Sequence, residues 1–357
     1  MVCRMTNTHG MLARRHFLGG AVAGAAVVAT TSREASAGID KNRSWAAAPP
    51  AGFTPFNAPG KVVRVTKPDC LQANKNYPKP EDARAMLEKA LTSLTGKPNL
   101  VEAVRVFVSP ADKVCVKVNG IALKNMSTNK ELVLPFIQAM IDSGVPAANI
   151  TVLEQWMGFL QGTRINAQNV PPGVKIAIHG NKDTAMEERH VEGTRTGKTT
   201  FARALTDSTA VINFALIKDH SITGYTGAIK NMTHGCSLNP HDFHQRKGSP
   251  QLAHLYNQDV IRSRVRLNIA DGFKIMAHGG PLYKKPEYVK AHDSVYVSTD
   301  PVAMDVIGWE MVEKARAEFK LKTLESEDRA PTYMKVAEGL GLGVAERSKI
   351  QFFEVAI

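Results

Sequence analysis

The strongest constraint on the fold is an alternation, from residue 61 onward, of short apolar runs with longer segments of helical periodicity. Residues 61–66 are the first strand-like run, and residues 80–94 are the first helix-like segment, with the apolar side chains on one face. This alternation is typical of a mostly parallel sheet covered by helices on both faces. We therefore expect a three-layer α/β/α fold, built as a single α/β domain over residues 61–357.

The same patterns predict the remaining elements. Further strands are expected at residues 113–118, 150–153, 174–178, 210–217, 266–270, 293–298 and 350–355. Helices are expected at residues 132–143, 250–265, 301–319 and 332–339, with a helical turn through 221–229. Asp300 before Pro301 is typical of a helix start, because the carboxylate caps free N–H groups and proline fits the first turn.

A targeting pattern occupies the N terminus. Arg14-Arg15 is followed by Phe-Leu, by a short uncharged run and by an Ala-x-Ala sequence that ends at Ala37. Residues 1–37 therefore resemble a twin-arginine signal peptide that is cleaved after Ala37. We expect the Tat export machinery as a partner and a periplasmic, soluble mature protein. The apolar run is too short for a stable transmembrane anchor, and an Ala-, Pro- and Gly-rich linker is expected at residues 38–60.

Charge and cysteine content narrow the function classes. The formal net charge of +12 favours anionic partners, but Lys and Arg form no long basic run, so no specific nucleic-acid binding is expected. Cleavage leaves Cys70, Cys115 and Cys236, an odd number without close pairs. We expect no disulfide framework, although three cysteines are enough to form one disulfide bridge. The chain has no Cys-x-x-Cys and no ferredoxin-type run, so no self-contained iron–sulfur cluster is expected.

Residues 211–244 concentrate side chains that can bind anions and carry protons. Lys218 and His220 are two residues apart, so at an extended strand end they project the same way. Lys230 and Asn231 follow shortly afterwards. Converging ammonium, imidazole and amide groups can hold a carboxylate or phosphate and transfer a proton. The alternative is that both lysines are solvated and that His220 bonds a loop carbonyl.

A second cluster follows in the same stretch, as His234-x-Cys236 and then His241-x-x-His244. Imidazole and thiolate groups are ligands for zinc, copper or iron, so a bound transition metal is one hypothesis for the cofactor. The spacing matches no standard zinc module. The alternative is a set of loop histidines beside a buried thiol.

Polar residues at predicted strand ends belong to a set of short motifs. These are Lys117-x-Asn119, Ile217-Lys218-x-His220, Thr226-Gly-Ala-x-Lys230-Asn231, Ala270-Asp271-Gly272 and Ser298-Thr-Asp300-Pro-Val-Ala-x-Asp305. In order and separation they resemble the family called domain of unknown function 362, over about residues 113–355. Some members carry an added ferredoxin module, whose cysteines this chain lacks. The resemblance supplies no established reaction, and it implies an α/β fold with a shared polar site at Lys117, Asn119, Lys218, His220, Lys230, Asn231, Asp271 and Asp300.

Our first hypothesis is an exported, enzyme-like protein that binds a small anionic substrate, with or without the assistance of a metal. The catalytic candidates are His220, Lys230 and Asp271, with Asp271 positioning the base. The substrate-binding candidates are Lys117, Asn119, Lys218, Asn231 and Asp300. One alternative is a periplasmic metal-binding or metal-delivery protein that uses His234, Cys236, His241 and His244. Another is a solute-binding protein without catalysis.

Residues 193–199 are similar to a nucleotide-binding loop in composition. They have three residues between the glycines, where the phosphate-binding motif has four. They also follow the charged residues 186–192 and not an apolar strand. The backbone cradle that holds phosphates is therefore not expected here, and neither is a nucleotide site.

Overall fold

The computed structural model describes residues 43–194 and 197–357. The predicted signal segment, with its cleavage site at Ala37, lies outside these residues, so export by the twin-arginine route stays a prediction. Across the described ranges, we find no helix that combines the length and apolar character required to cross a membrane.

A mixed, mostly parallel sheet forms the centre of the described residues. The strands of the described residues are β1 (Lys61–Thr66), β2 (Val114–Lys117), β3 (Ile150–Glu154), β4 (Lys175–Ile178), β5 (Arg189–His190), β6 (Lys198–Thr199), β7 (Ala210–His220), β8 (Gly224–Thr226), β9 (Val265–Met276), β10 (Val289–Ser298) and β11 (Gln351–Ala356). All except β5 and β6 belong to the central sheet. Nine strands share the sheet, in the order β11-β1-β10-β9-β7-β2-β3-β4 with β8 paired to β7, while β5 pairs with β6. Pairing is antiparallel for β1–β10, β9–β10 and β7–β8 and parallel for the other pairs of the sheet.

Helices cover both faces of this sheet. They are α1 (Pro80–Thr95), α2 (Leu100–Arg105), α3 (Lys130–Asp142), α4 (Met157–Thr163), α5 (Arg203–Thr206), α6 (Ala228–Thr233), α7 (Gln251–Tyr256), α8 (Asp259–Arg262), α9 (Pro301–Glu318) and α10 (Tyr333–Gly339). On one face, Leu87 of α1 and Phe136 of α3 share a core with Val116. On the other, Ile307 of α9 shares a core with Ile217. The three-layer α/β/α prediction is confirmed.

Single 3-10 turns occur in several connections. They lie at Leu123–Asn125, Ala147–Asn149, Pro240–Phe243, Gln245–Gly248, Pro286–Tyr288 and Arg347–Lys349. The turn at Pro240–Phe243 matters for the site, because it carries His241 and leads directly into His244.

Residues 43–60 contain no helix or strand and lie against the sheet domain. The carbonyl oxygen of Trp45 accepts a hydrogen bond from the Arg264 guanidinium at 2.6 Å. The Phe56 ring packs edge-on against Phe107, with 5.7 Å between ring centroids. These contacts fix the segment along the domain surface before β1 begins.

The segment between β7 and α6 differs from its predicted helical turn. It forms the short strand β8, which pairs antiparallel with the end of β7. Gly224 has a φ of +74°, and a Cβ at this position would lie 1.8 Å from the carbonyl oxygen of Arg329. The left-handed backbone and this close approach explain why the chain turns back here and does not continue into a helix.

Other differences concern element length. Residues 250–265 form α7 and α8 separately, whereas one helix was predicted. Strand β9 continues to Met276, so Asp271 lies within the strand and not at its end. Helices α2 and α4 were not predicted, because six and seven residues are too few to show a clear helical period. The predicted helix start at Asp300 is confirmed, since its carboxylate accepts the N–H groups of Val302 and Ala303.

Candidate functional site

A cavity of about 570 Å³ lies at the carboxyl ends of β2, β3 and β7. In α/β sheets with parallel strands, this edge is where ligands bind. The central strand β2 lies between β3 and β7, so side chains that leave these strand ends converge. The polar residues of the cavity wall include Lys117, Asn119, Glu154, His220, Lys230, Asn231, His234, His241 and His244.

Lys117 has its own buried counter-ion. Its Nζ donates to Oε2 of Glu154 at 2.7 Å, and the two side chains are 1% and 4% exposed. The other carboxylate oxygen of Glu154 accepts the N–H of Gly120 at 2.7 Å. A Cβ on Gly235 would lie 2.3 Å from the carbonyl oxygen of Asn231 and 2.8 Å from Cε of Lys117, so glycine is required at this position. The positive charge of Lys117 is therefore neutralised within the fold.

A row of hydrogen-bonded side-chain amides runs from the cavity into the sheet. Lys218 Nζ donates to Oδ1 of Asn119 at 3.1 Å, and Asn119 Nδ2 donates to Oδ1 of Asn231 at 3.1 Å. Asn231 Nδ2 donates to Oδ1 of Asn213 at 2.7 Å, and Asn213 Nδ2 donates to Oδ1 of Asn268 at 2.9 Å. This amide row fixes the predicted residues Asn119 and Asn231 in one orientation. Its inner members were not predicted, because they lie inside strands that read as purely apolar.

Lys218 is fully buried and contacts Asn119, which lines the cavity. Burial lowers the pKa of Lys218 to about 7; Glu154 opposes this shift, whereas Lys230 and Lys117 add to it. Loss of water around the ammonium group disfavours its charged form. Near neutral pH, Lys218 is therefore present in both its charged and neutral forms.

Lys230 lies in α6 and lines the cavity. Burial lowers its pKa to about 7. Within the described ranges, no carboxylate lies within ion-pair distance of its ammonium group. His244 Nδ1 donates to the carbonyl of Pro240 at 3.1 Å, which leaves the Nε2 lone pair free to accept from Lys230 Nζ at 3.4 Å. Lys230 is thus a cavity cation paired with a neutral imidazole.

Four imidazole rings adjoin one another beside Lys230. The ring centroid of His244 is 5.5 Å from His220, 4.4 Å from His234 and 6.2 Å from His241. Burial and the neighbouring Lys230 lower the pKa of His220 and His234 well below the ordinary value, and that of His244 to about 4. These three rings are therefore neutral at physiological pH.

The tautomer of His220 follows from its backbone contacts. Its Nδ1 accepts N–H groups of Ile222 and Thr223, both at 3.1 Å, so the ring hydrogen is on Nε2. The carbonyl of His220 accepts from Arg329 at 2.9 Å, and the same guanidinium pairs with buried Asp219 at 2.7 Å. The C-terminal segment that carries Arg329 thus holds the end of β7 in place.

Helix α6, which carries Lys230 and Asn231, is positioned by α9. Oδ1 of Asp305 accepts the N–H of Ala228 at 2.5 Å, and Oδ2 accepts that of Ile229 at 3.0 Å. Burial raises the pKa of Asp305 to about 7, although these two N–H donors oppose the shift. Its role was not predicted, because nothing in the sequence links residues so far apart.

Besides Lys218, three predicted site residues lie away from the cavity wall. Asp271 accepts hydrogen bonds from the backbone and side chain of Asn129, at 2.7 and 2.9 Å, and burial raises its pKa to about 6. Asp300 caps α9 and also accepts the N–H of Gly60 at 2.9 Å. Cys236 is packed in the hydrophobic core as a free thiol. Each therefore has a structural environment of its own, whereas Asp271 was predicted to position a base, Asp300 to bind the substrate and Cys236 to bind a metal.

The predicted metal ligands are only partly brought together. His234, His241 and His244 share the cavity wall, while Cys236 does not. Over residues 43–194 and 197–357, no group of three or more His, Cys, Asp or Glu side chains has an arrangement that could hold a metal ion. Nε2 of His234 is buried without a hydrogen-bond partner in the same ranges.

Sequence reasoning missed Glu154, which lines the cavity, and His179, which contacts the cavity residue Gly235 from behind the wall. Glu154 ends β3, so the rule that selected polar residues after strands would also have selected it. His179 follows β4, and its Nε2 donates to the carbonyl of Gly235 at 3.2 Å while its Nδ1 accepts the N–H of Asn181. Burial and Lys117 lower the pKa of His179 to about 4.

Fold and site together define an α/β protein with a lysine- and histidine-rich cavity at its strand ends. The chain belongs to the family described as "Domain of unknown function (DUF362)", whose model matches residues 114–310. A search of curated proteins gave no match.

The solved structures that are similar to this chain include the following two. One is the lactate racemase apoprotein from Thermoanaerobacterium thermosaccharolyticum, with a TM-score of 0.42 and 11% identity, covering 71% of this chain and 57% of that one. The other is a structural-genomics protein from Thermotoga maritima, with a TM-score of 0.39 and 12% identity, covering 69% and 60% respectively. The match spans less than two thirds of either of those chains.

Proposed function

We propose that the cavity binds the anionic group of a small organic molecule and that Lys230 and His244 transfer a proton during its conversion. The observation that carries this proposal is the position of Lys230. It lines the cavity, it has no carboxylate partner in the described ranges, and it lies 3.4 Å from the free lone pair of His244. A buried cation without a counter-ion is costly, and a bound anion would remove that cost.

The remaining groups divide into those that would contact the anion and those that hold them. The His220 Nε2–H is a second donor at the cavity wall. Lys117 is neutralised by Glu154, and Asn119 and Asn231 are occupied within the amide row. We therefore assign the anion contacts to Lys230 and His220, and a positioning role to the other predicted residues of the wall.

The proton step follows from the same geometry. A bound anion favours the ammonium form of Lys230, because an opposite charge nearby raises the pKa of a lysine. The proton can then move between Lys230, His244 Nε2 and the substrate. A neutral imidazole beside a lysine of near-neutral pKa has the properties of a general acid–base pair.

The binding part is tested with Lys230→Met, which keeps the side-chain length and removes the charge. Thermal unfolding is measured with and without added carboxylates, and Lys335→Met, on an exposed lysine, is the matched control. We expect carboxylates to raise the midpoint of the wild type and of the control but not of Lys230→Met. An equal rise in Lys230→Met would refute the assignment.

The catalytic part separates an enzyme from a solute-binding protein. Wild-type protein is incubated in D₂O with the carboxylates that stabilise it, and exchange of carbon-bound hydrogen is followed by NMR. We expect exchange that is lost in His244→Ala while carboxylate stabilisation is retained. Stabilisation without exchange for any bound compound would favour the solute-binding alternative.

Metal binding is a second candidate, favoured by the unpartnered Nε2 of His234 beside the rings of His241 and His244. Side-chain rearrangement would be needed to bring these rings around one ion. Elemental analysis of the purified protein tests it. A stoichiometric metal that is lost from the His241→Ala/His244→Ala variant would support this candidate, and metal-free wild type would remove it.

A further inference from the structure

The mouth of the cavity carries exposed apolar side chains. Trp156, Ile222 and Leu282 line the cavity and are 42%, 43% and 40% exposed, respectively. They come from three separate connections: after β3, between β7 and β8, and after β9. We call these three residues the apolar rim. Large apolar side chains that remain exposed together commonly mark a binding surface.

The floor beneath the rim suits a single negative charge. Lys117 is neutralised by Glu154, and Lys218 is buried behind Asn119, so Lys230 is the buried cation that meets the cavity without a partner among the described residues. Lys284 also lines the wall, but it is exposed, so water screens its charge. No arginine is among the described residues of the wall, whereas arginine is common where phosphate is recognised. A carboxylate fits this floor better than a doubly charged phosphate.

A carboxylate group alone is too small to fill the cavity. About 570 Å³ lies within the range of cavities that enclose organic ligands of roughly 300–1,000 Å³. An ion of the size of acetate would occupy the floor and leave the apolar rim in water. A ligand with an apolar body would cover the rim and exclude water from the Lys230–His244 pair.

We propose that the substrate is an amphipathic carboxylate, whose charged group contacts the Lys230 floor and whose aromatic or branched apolar body lies against Trp156, Ile222 and Leu282. This inference rests on the proposed function and adds the chemical class of the substrate. The rim residues and the buried Lys230 line the same cavity, and an enclosed volume of this size fits a small molecule better than the face of a protein. Apolar contact supplies affinity, and the lysine supplies orientation.

The test compares two ligands that share a carboxylate and differ by a phenyl ring, acetate and phenylacetate. Binding of each to the full chain is measured by isothermal titration calorimetry. We expect the wild type to bind phenylacetate at least about tenfold more tightly, since burial of a ring contributes strongly to affinity. Trp156→Ala should reduce this ratio severalfold and leave acetate binding unchanged.

Two kinds of control make the result specific. Phe353→Ala removes a comparably exposed aromatic residue, 47% exposed, from the edge strand β11 outside the cavity wall, and should leave the ratio intact. Ile222→Ser and Leu282→Ser should each lower the ratio, which keeps the test decisive if Trp156→Ala folds poorly. Lys230→Met should weaken both ligands together.

The outcomes separate the two proposals. Equal affinity of the wild type for acetate and phenylacetate, or a ratio unchanged in all three rim variants, would overturn the substrate class and leave carboxylate binding standing. Binding of neither ligand by the wild type would overturn the proposed function itself. A strong preference for phenylacetate over acetate that falls only in the rim variants supports both the substrate class and the proposed function.

Discussion

Lys218 and Lys230 lie among neutral imidazoles and amides, and burial lowers the pKa of each to about 7 from the usual 10.5. At the scale of single residues, this makes the charge of the cavity sensitive to pH near neutrality. The unfolded chain binds these two protons up to about pH 10, whereas the folded chain has released them above about pH 7. From pH 7 to 10, the free energy of unfolding contributed by the two lysines therefore rises with pH.

Carboxylate affinity should show the opposite dependence. Because the anion requires the ammonium form of Lys230, affinity should be constant below pH 6 and fall by roughly tenfold per pH unit well above 7. Calorimetric titrations with phenylacetate between pH 5.5 and 9 measure this. In Lys230→Met the weak residual binding should lose most of the slope; an affinity of the wild type that stays constant up to pH 9 would contradict the prediction.

Residues of the candidate site were predictable where a polar side chain follows a predicted strand. That rule selected Asn119 and His220, which line the cavity, and Lys218, which is buried behind Asn119; it should also have selected Glu154. Lys117 was selected through the family resemblance. The rule failed for Asp271, because β9 continues past this residue, and nothing in a short apolar run indicates how far the strand continues. The contact of Asp305 with α6 was not predicted, because it depends on packing between distant segments of the chain.

At the scale of elements, α9 positions the site through its first two turns. Asp300 caps α9 itself, and Asp305, one turn further on, accepts the first N–H groups of α6. Helix α6 has six residues, too few to be stable alone, so its orientation depends on this contact and on packing. The two carboxylates therefore cap different helices: Asp300 caps α9, and Asp305 caps α6, which carries Lys230.

Substitution of these two carboxylates should separate stability from binding. Asp305→Ala should lower the free energy of unfolding by about 2 kcal/mol, as for loss of a helix cap, and should weaken phenylacetate binding because Lys230 moves with α6. Asp300→Ala should lower stability by a similar amount and leave the affinity unchanged. Urea unfolding and calorimetry measure the two effects; equal losses of affinity in both variants would refute the distinction.

Element prediction succeeded where the periodic signal was long. The apolar runs of β1, β2 and β7 and the helical period of α1 and α9 were sufficient to indicate the three-layer fold. The short hairpin of β7 and β8 was missed, because its turn depends on Gly224 meeting the carbonyl of Arg329, more than a hundred residues away. Such a contact leaves no periodic pattern in the sequence.

At the scale of the whole molecule, the site depends on parts of the chain outside the family match. Strand β1 lies between β10 and β11, and α1 packs on the core that underlies β2. The family model covers residues 114–310 and therefore leaves out β1, α1, β11 and Arg329. Without them, β10 has a free edge and one sheet face loses the part of its apolar cover that α1 supplies.

A fragment of residues 114–310 should therefore fail to fold as a stable unit, whereas residues 43–357 should fold. Removal of α1 alone deletes Met86, Leu87 and Leu91, which are fully buried in the described structure, and exposes the apolar residues of the same core that pack against them. Circular dichroism melting and size-exclusion chromatography measure the outcome. A cooperative melting transition of the fragment near that of the longer chain would disprove this dependence.

The amide row has an electrostatic consequence for Lys218. Each of the side chains Asn119, Asn231, Asn213 and Asn268 turns its oxygen toward the lysine and its NH₂ group away from it. Their dipoles are therefore aligned and present a negative pole to the ammonium group, much as the C-terminal end of a helix does. This pole contains no ionisable group, so it persists at every pH and leaves the protonation of Lys218 free to respond to whatever enters the cavity.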